Sequence, residues 1–187
     1  MESEHENFFE ELEPQEKFLN WWSESGISER QGADDLLKWL EQKDFFDIPA
    51  SVNHHLNHSG GLCEHTVNVV ENAVELCNTN HAFECCDQEA VIVAALLHDI
   101  CKVNKYLRDG VNFHYQDTGL LGHGEESVIF AQKFVKLTDK EIMAIRWHMG
   151  AYSGEKDWNT LGKVFDQYPE AMCLHFADMI ATHYDEN

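Results

Sequence analysis

An all-α fold, a helical bundle with one small hairpin or loop insertion near 106–117, follows from three observations. Apolar residues recur at three- and four-residue intervals through most of the chain, only three prolines interrupt 187 residues, and one short stretch alternates. With 43% hydrophobic residues the composition is that of a globular chain with a sizeable core.

The elements follow in order. Seven glutamates stand among the first sixteen residues, interleaved with Phe8, Phe9 and Leu12, and Phe18, Leu19, Trp21 and Trp22 follow. This spacing predicts an amphipathic helix with a solvated acidic face, so residues 1–48 read as an acidic helical segment packed on a main domain of 49–187. Ala33 to Gln42 forms the next helix, with Leu36, Leu37 and Leu40 on one side. Leu62, Thr66, Val69, Val70, Ala73, Val74 and Cys77 place a helix over 62–77. Asp87 to Val103 is apolar almost all round, as a buried central helix should be. Tyr106 to Phe113 is expected to be a hairpin turning at Asp109-Gly110. Glu125 to Leu137 is amphipathic, the capping box Thr138–Glu141 opens a helix that stops at Gly150, and Pro169 begins a last helix to about His183.

The formal charge of −21 argues against affinity for duplex DNA or an anionic membrane, though a small anion held by a metal ion remains compatible with it. The longest apolar run, Ala90 to Leu97, is far too short to span a bilayer. The N-terminal residues lack the pattern of a secretory signal and the six cysteines form no Cys-x-x-Cys pair. Reduced thiols in a cytoplasmic protein are therefore the expectation.

Twelve histidines, almost as many as all Lys and Arg together, call for a reason. The dipeptide His98-Asp99 is weak by itself, since about 0.8 such pairs arise by chance at this composition. Its place at the end of the run Ala90–Leu97 is more telling, because an ionised Asp there needs a cation or hydrogen bonds to compensate its burial. Neutral imidazole and carboxylate are what a borderline divalent metal accepts. Candidates stand on each neighbouring helix: His65, His123, His148, and Asp178 among Phe176, Ala177, Met179 and Ile180. Each alone reads more simply as a satisfied core residue, but six such coincidences would be required.

The order His65, His98-Asp99, His123, His148, Asp178 resembles the signature of the HD superfamily of metal-dependent phosphohydrolases, over about Asn53 to His183. Finer similarities lie in Gly60-Gly61-Leu62-Cys63-Glu64-His65-Thr66, Leu120-Leu121-Gly122-His123 and Leu174-His175-Phe176-Ala177-Asp178. They look most like the HD domains of bacterial 3′–5′ exoribonucleases and stand-alone HD hydrolases of bacteria and phages. Cys101 departs from the family's frequent Gly, and an oligonucleotide-binding domain like that of the exoribonucleases is not expected within these 187 residues.

The resemblance implies one or two divalent ions (Mn, Fe, Ni, Co, Zn or Mg), the first on His65, His98, Asp99 and Asp178. A second would take His123 and His148, with Asp99 bridging. Such a pair activates water and clamps both oxygens of an in-line displacement at phosphorus. Lys102, three residues after Asp99, is a candidate phosphate contact or a partner of the metal-ligating carboxylate, and Lys105 and Arg108 continue the spacing as a basic patch if the helix extends. His55 is the candidate substrate contact or proton donor among His54, His55 and His58. The expected activity is hydrolysis of a phosphomonoester or phosphodiester of a nucleotide or other small metabolite. A di-iron oxygenase acting on a polyol or phosphonate, or a non-catalytic metal-binding regulatory module, would use the same ligands.

Overall fold

Caps and glycines punctuate the chain into eight α-helices among the described residues. The computed structural model describes residues 12–52, 56–110, 112–116, 119, 121–152 and 154–186. Helix α1 (Pro14–Glu24) opens with a proline in its first turn and a Glu13/Glu16 capping box. Its Phe18 and Trp22 are buried in the common core, Phe18 against Phe45 and Phe46. Phe8 and Phe9 lie outside the described residues.

Helix α2 (Ala33–Gln42) matches the expected bounds, and α3 runs Gly61–Thr79. Gly61 is required where it stands, because a Cβ there would meet the Leu56 carbonyl oxygen and approach the Ala50 nitrogen to 3.1 Å. Helix α4 (Gln88–Leu97), capped by Asp87, is buried on all sides and packs against α3 and α6 (Asp139–Trp147) and α8 (Pro169–Ile180). This arrangement places the C-terminal end of α4 amid the helices that carry the other candidate ligands.

Several boundaries differ from the sequence reading. The helix expected over 87–103 ends at Leu97, and a 3₁₀ turn over Ile100–Asn104 follows. Strands β1 (Tyr106–Asp109) and β2 (Asn112–Tyr115) then pair antiparallel with Asp109 opposite Asn112, at the expected hairpin. Helix α5 is His123–Ala131, starting two residues early and ending well before Leu137. Helix α6 has the Thr138/Glu141 capping box that the sequence announces. A helix not anticipated, α7 (Trp158–Gln167), rests one buried residue, Val164, on the core. A π turn over Ala181–Asp185 extends α8.

Candidate metal centre

Two of the histidines end helices in the same way. His98 follows α4 and its Nδ1 donates to the Ala95 carbonyl at 2.7 Å; His148 follows α6 and its Nδ1 donates to Ile145 at 2.7 Å. Each bond satisfies a helix-end carbonyl and assigns the proton to Nδ1, so each Nε2 turns a lone pair inward. The break after His98 has a further use. Successive residues of an α-helix point about 100° apart, but Asp99 sits at φ −116°, ψ 14°. Its carboxylate thereby comes back beside its neighbour, Oδ2 lying 3.6 Å from His98 Nε2.

The other elements complete the cluster. His65, in the second turn of α3, has Nε2 3.3 Å from His98 Nε2, 3.4 Å from Asp178 Oδ1 and 4.0 Å from Asp99 Oδ2. On the opposite side, His123 Nδ1 and His148 Nε2 both stand 3.7 Å from Asp99 Oδ1. The structure thus brings together all six sequence-derived candidates, around one carboxylate.

This donor set calls for positive charge. Among the described residues Asp99 Oδ1 is buried without a hydrogen-bond partner, and the inward nitrogens of His65, His98 and His148 gather around this carboxylate. Burial works against charge on Asp99, but Lys102 and His98 outweigh it and hold its carboxyl well below the usual range. Burial likewise opposes ionisation of Asp178, and His65 overcomes it, again lowering the pKa. His98 is pushed down to about 4, by burial above all, and stays a neutral donor. His65 goes the other way: burial is outweighed by Asp178 and Glu186, and its pKa rises to about 9. His65, His98 and Asp99 are positioned to hold a divalent ion. Cys101 also lies within reach of Asp99 and His123, but burial pushes its thiol up to about 12, which disfavours the ligating thiolate.

Lys102 stands beside Asp99, its Nζ 2.6 Å from Oδ2 and 3.0 Å from the Ala50 carbonyl. Lys105 does not join it. The turn ends at Asn104, and Lys105 is buried against Glu126 at 2.9 Å. Arg108, on β1, reaches Asp44 and Asp47 at 3.2 Å each, so the expected basic patch does not form. His55 and His54 lie outside the described residues, and His58 is an exposed partner of Glu64. Arg146 turns away as its helical position requires, to Glu125 at 2.7 Å. His175 donates from Nδ1 to the His148 carbonyl at 2.7 Å, buttressing that helix end.

Glu186 was not legible as a site residue. Its carboxylate, 1% exposed, accepts from His65 Nδ1 at 3.0 Å and from Asn68 Nδ2 at 3.0 Å. The only signal is Asn68, one turn after His65 on the same side of α3. A carboxylate there fixes the imidazole tautomer and raises its basicity. Glu186→Ala is therefore expected to weaken metal affinity about 10- to 100-fold, measured by competition with a chromogenic chelator; unchanged affinity would remove this role.

The ligand cluster floors a cavity of about 790 Å³. Lys102, His175 and His183 supply polar lining, and Met149, Tyr152 and Met179 an apolar wall. Among the described residues no helix is long and apolar enough to cross a membrane.

Comparison with known proteins agrees with this geometry. The family model of the HD domain matches residues 62–182. A 3'-5' exoribonuclease YhaM of Geobacillus sp. is 31% identical over 149 residues, 76% of this chain and 43% of that protein. A dihydroneopterin 2',3'-cyclic phosphate phosphodiesterase of Methanocaldococcus jannaschii is 37% identical over 73 residues, 37% of this chain and 29% of that protein. The chain spans less than half the length of these relatives. No solved structure matches it significantly. With the family model covering well over half its length and the histidine–aspartate cluster assembled at its centre, the chain belongs to the HD-domain family.

Proposed function

We propose that this protein is a metal-dependent phosphohydrolase whose two divalent ions share Asp99. The observation that carries the reading is the buried Asp99 Oδ1, without a hydrogen-bond partner among the described residues, between His123 and His148, while Oδ2 faces His65 and His98. One carboxylate presenting its two oxygens to two clusters of imidazole is suited to bridge a pair of cations. His65, His98, Asp99 and Asp178 would hold one ion, and His123, His148 and Asp99 the other. Bound divalent ions supply Lewis-acid activation of water and of a phosphoryl oxygen.

The chain's own residues do the rest. Lys102 neutralises and orients Asp99 from within hydrogen-bond distance, and its ammonium lines the cavity where a phosphate would enter. Glu186 holds the His65 ring, and the backbone carbonyls of Ala95 and Ile145 hold His98 and His148. A cavity of about 790 Å³, whose floor would be cationic with divalent ions bound and whose wall is Met149, Tyr152 and Met179, fits a ligand of nucleotide size, its phosphate inward and an apolar or aromatic part along the wall. The names of the similar proteins, an exoribonuclease and a cyclic phosphate phosphodiesterase, support phosphodiester chemistry of a nucleotide or related small metabolite. The formal net charge of −21 favours a small substrate over a long polyanion in a cytoplasmic setting.

The test combines metal analysis with a phosphate-ester screen. Two ions per chain are expected, with hydrolysis of bis-p-nitrophenyl phosphate and nucleotides abolished by chelation and restored by Mn, Fe, Ni or Co. Chelated protein that hydrolyses at full rate would sink the proposal. So would iron-loaded protein that consumes oxygen with a polyol or phosphonate and releases no phosphate.

A further inference from the structure

Three cysteines outside the metal centre meet where α3 packs on α8. Cys77, in the last turns of α3, has its Sγ 3.7 Å from Cys173 Sγ on α8. Cys173 Sγ is also 3.7 Å from the carbonyl oxygen of Ala73, one turn earlier on α3. Cys86, just ahead of the Asp87 cap of α4, packs partly buried against the same core. Cys77 and Cys86 are half-buried and Cys173 is buried. The remaining cysteines differ: Cys63 and Cys101 are buried, with thiols pushed up to about 12 by desolvation, and Cys85 is exposed.

The neighbours decide which sulfur reacts. Cys77 is half-buried whereas Cys173 is fully enclosed, so Cys77 is the sulfur of the pair that an oxidant reaches first, and the contact with Cys173 favours its thiolate. A partly accessible thiolate next to a second thiol is what an oxidant attacks first. For a bridge, the two sulfurs need only close from 3.7 Å to a bond of about 2.05 Å.

We propose that Cys77 and Cys173 form a peroxide-oxidisable pair, Cys77 attacking and Cys173 resolving. The Cys77 thiolate attacks one oxygen of a hydroperoxide; the O–O bond breaks, an S–O bond forms, and the leaving oxygen takes up a proton as water or an alcohol. Cys173, giving up its proton, then displaces the sulfenic oxygen, forming the S–S bond and releasing a second molecule of water. The two thiols lose two electrons, and these reduce the peroxide. The bridge joins residues 96 apart in the chain and ties α3, which carries His65, to α8, which carries Asp178. A loop of that length makes the crosslink a strong constraint on the unfolded chain.

The test uses the full chain, metal-loaded and fully reduced, then exposed to a few equivalents of hydrogen peroxide. Expected are a mass loss of about 2 Da, for two hydrogens, a mapped Cys77–Cys173 peptide, and a midpoint of thermal unfolding raised by roughly 5 °C or more. Dithiothreitol should reverse all three. Cys173 is fully buried, so the decisive variant is Cys77→Ser, which should abolish the bridge, whereas Cys85→Ser should leave it. A bridge through Cys85 or Cys86, a bridge that survives Cys77→Ser, or stepwise addition of oxygen with no bridge would overturn the proposal.

Discussion

Asp99→Asn is expected to remove metal binding and to lower phosphate-ester hydrolysis about 10³-fold or more, with the helical fold retained. The effect is large because one side chain faces all four candidate histidines: His65 and His98 from one oxygen, His123 and His148 from the other. Asparagine keeps the shape and still offers the Lys102 ammonium an oxygen, but takes away the charge that two cations would share. Alanine at the same position should add a loss of stability, since Lys102, 13% exposed, would keep only the Ala50 carbonyl. Breaking a buried pair from one side costs roughly 3–5 kcal/mol. Circular dichroism separates the two effects, and metal content with hydrolysis rate reads the first. An Asp99→Asn protein with two ions and full activity would refute the shared-carboxylate reading.

The second large effect is expected at Gly124, which itself offers no ligand atom. This residue follows His123 in α5 and is buried against α6, where an added Cβ would meet the carbonyl oxygens of Arg146 and Ile145, the latter at 2.6 Å. Both obstacles are backbone, so Gly124→Ala must push the two helices apart. Overpacking of this kind costs about 3 kcal/mol, at the upper end of its usual range, or roughly 6–12 °C in the unfolding midpoint for a chain of this size. The separation falls between His123 and His148, the two rings 3.7 Å from Asp99 Oδ1, so occupancy of the second ion should fall more than that of the first. Gly162→Ala is the control, within α7 and with open space around it. That change should be neutral or stabilising by about 0.5–1 kcal/mol. Equal melting of both variants would contradict this account.

Apolar runs and caps made the architecture legible: Ala33–Gln42, the Thr138 capping box and the Pro169 start all stand where their residues place them. The candidate ligands stood out for a related reason, since a charge or imidazole within an apolar helix is conspicuous. What could not be read is where a polar demand ends an apolar pattern. Hydrophobicity continues through Ile100, Cys101 and Val103, yet α4 stops at Leu97 and the backbone turns at Asp99. That early stop also misdirected Lys105 and Arg108, whose helical spacing vanished once a strand began at Tyr106. Glu186 escaped notice because a carboxylate in an acidic tail looks like any solvated one; only tertiary packing buries it on His65. Helix α7 buries too little for a core pattern to reveal it.

The paired helix endings at His98 and His148 have a consequence for ion choice. Each ring is oriented by a carbonyl of its own helix, three residues back, so the backbone sets its direction during folding. The ordering entropy of these two rings is then spent before any ion arrives, unlike small zinc domains in which binding drives the folding. A site arranged in advance from imidazole and carboxylate discriminates poorly among Mn, Fe, Co, Ni and Zn by ligand type alone. The ion carried would follow supply, and one polypeptide grown on different metals would differ in turnover while keeping the same unfolding cooperativity.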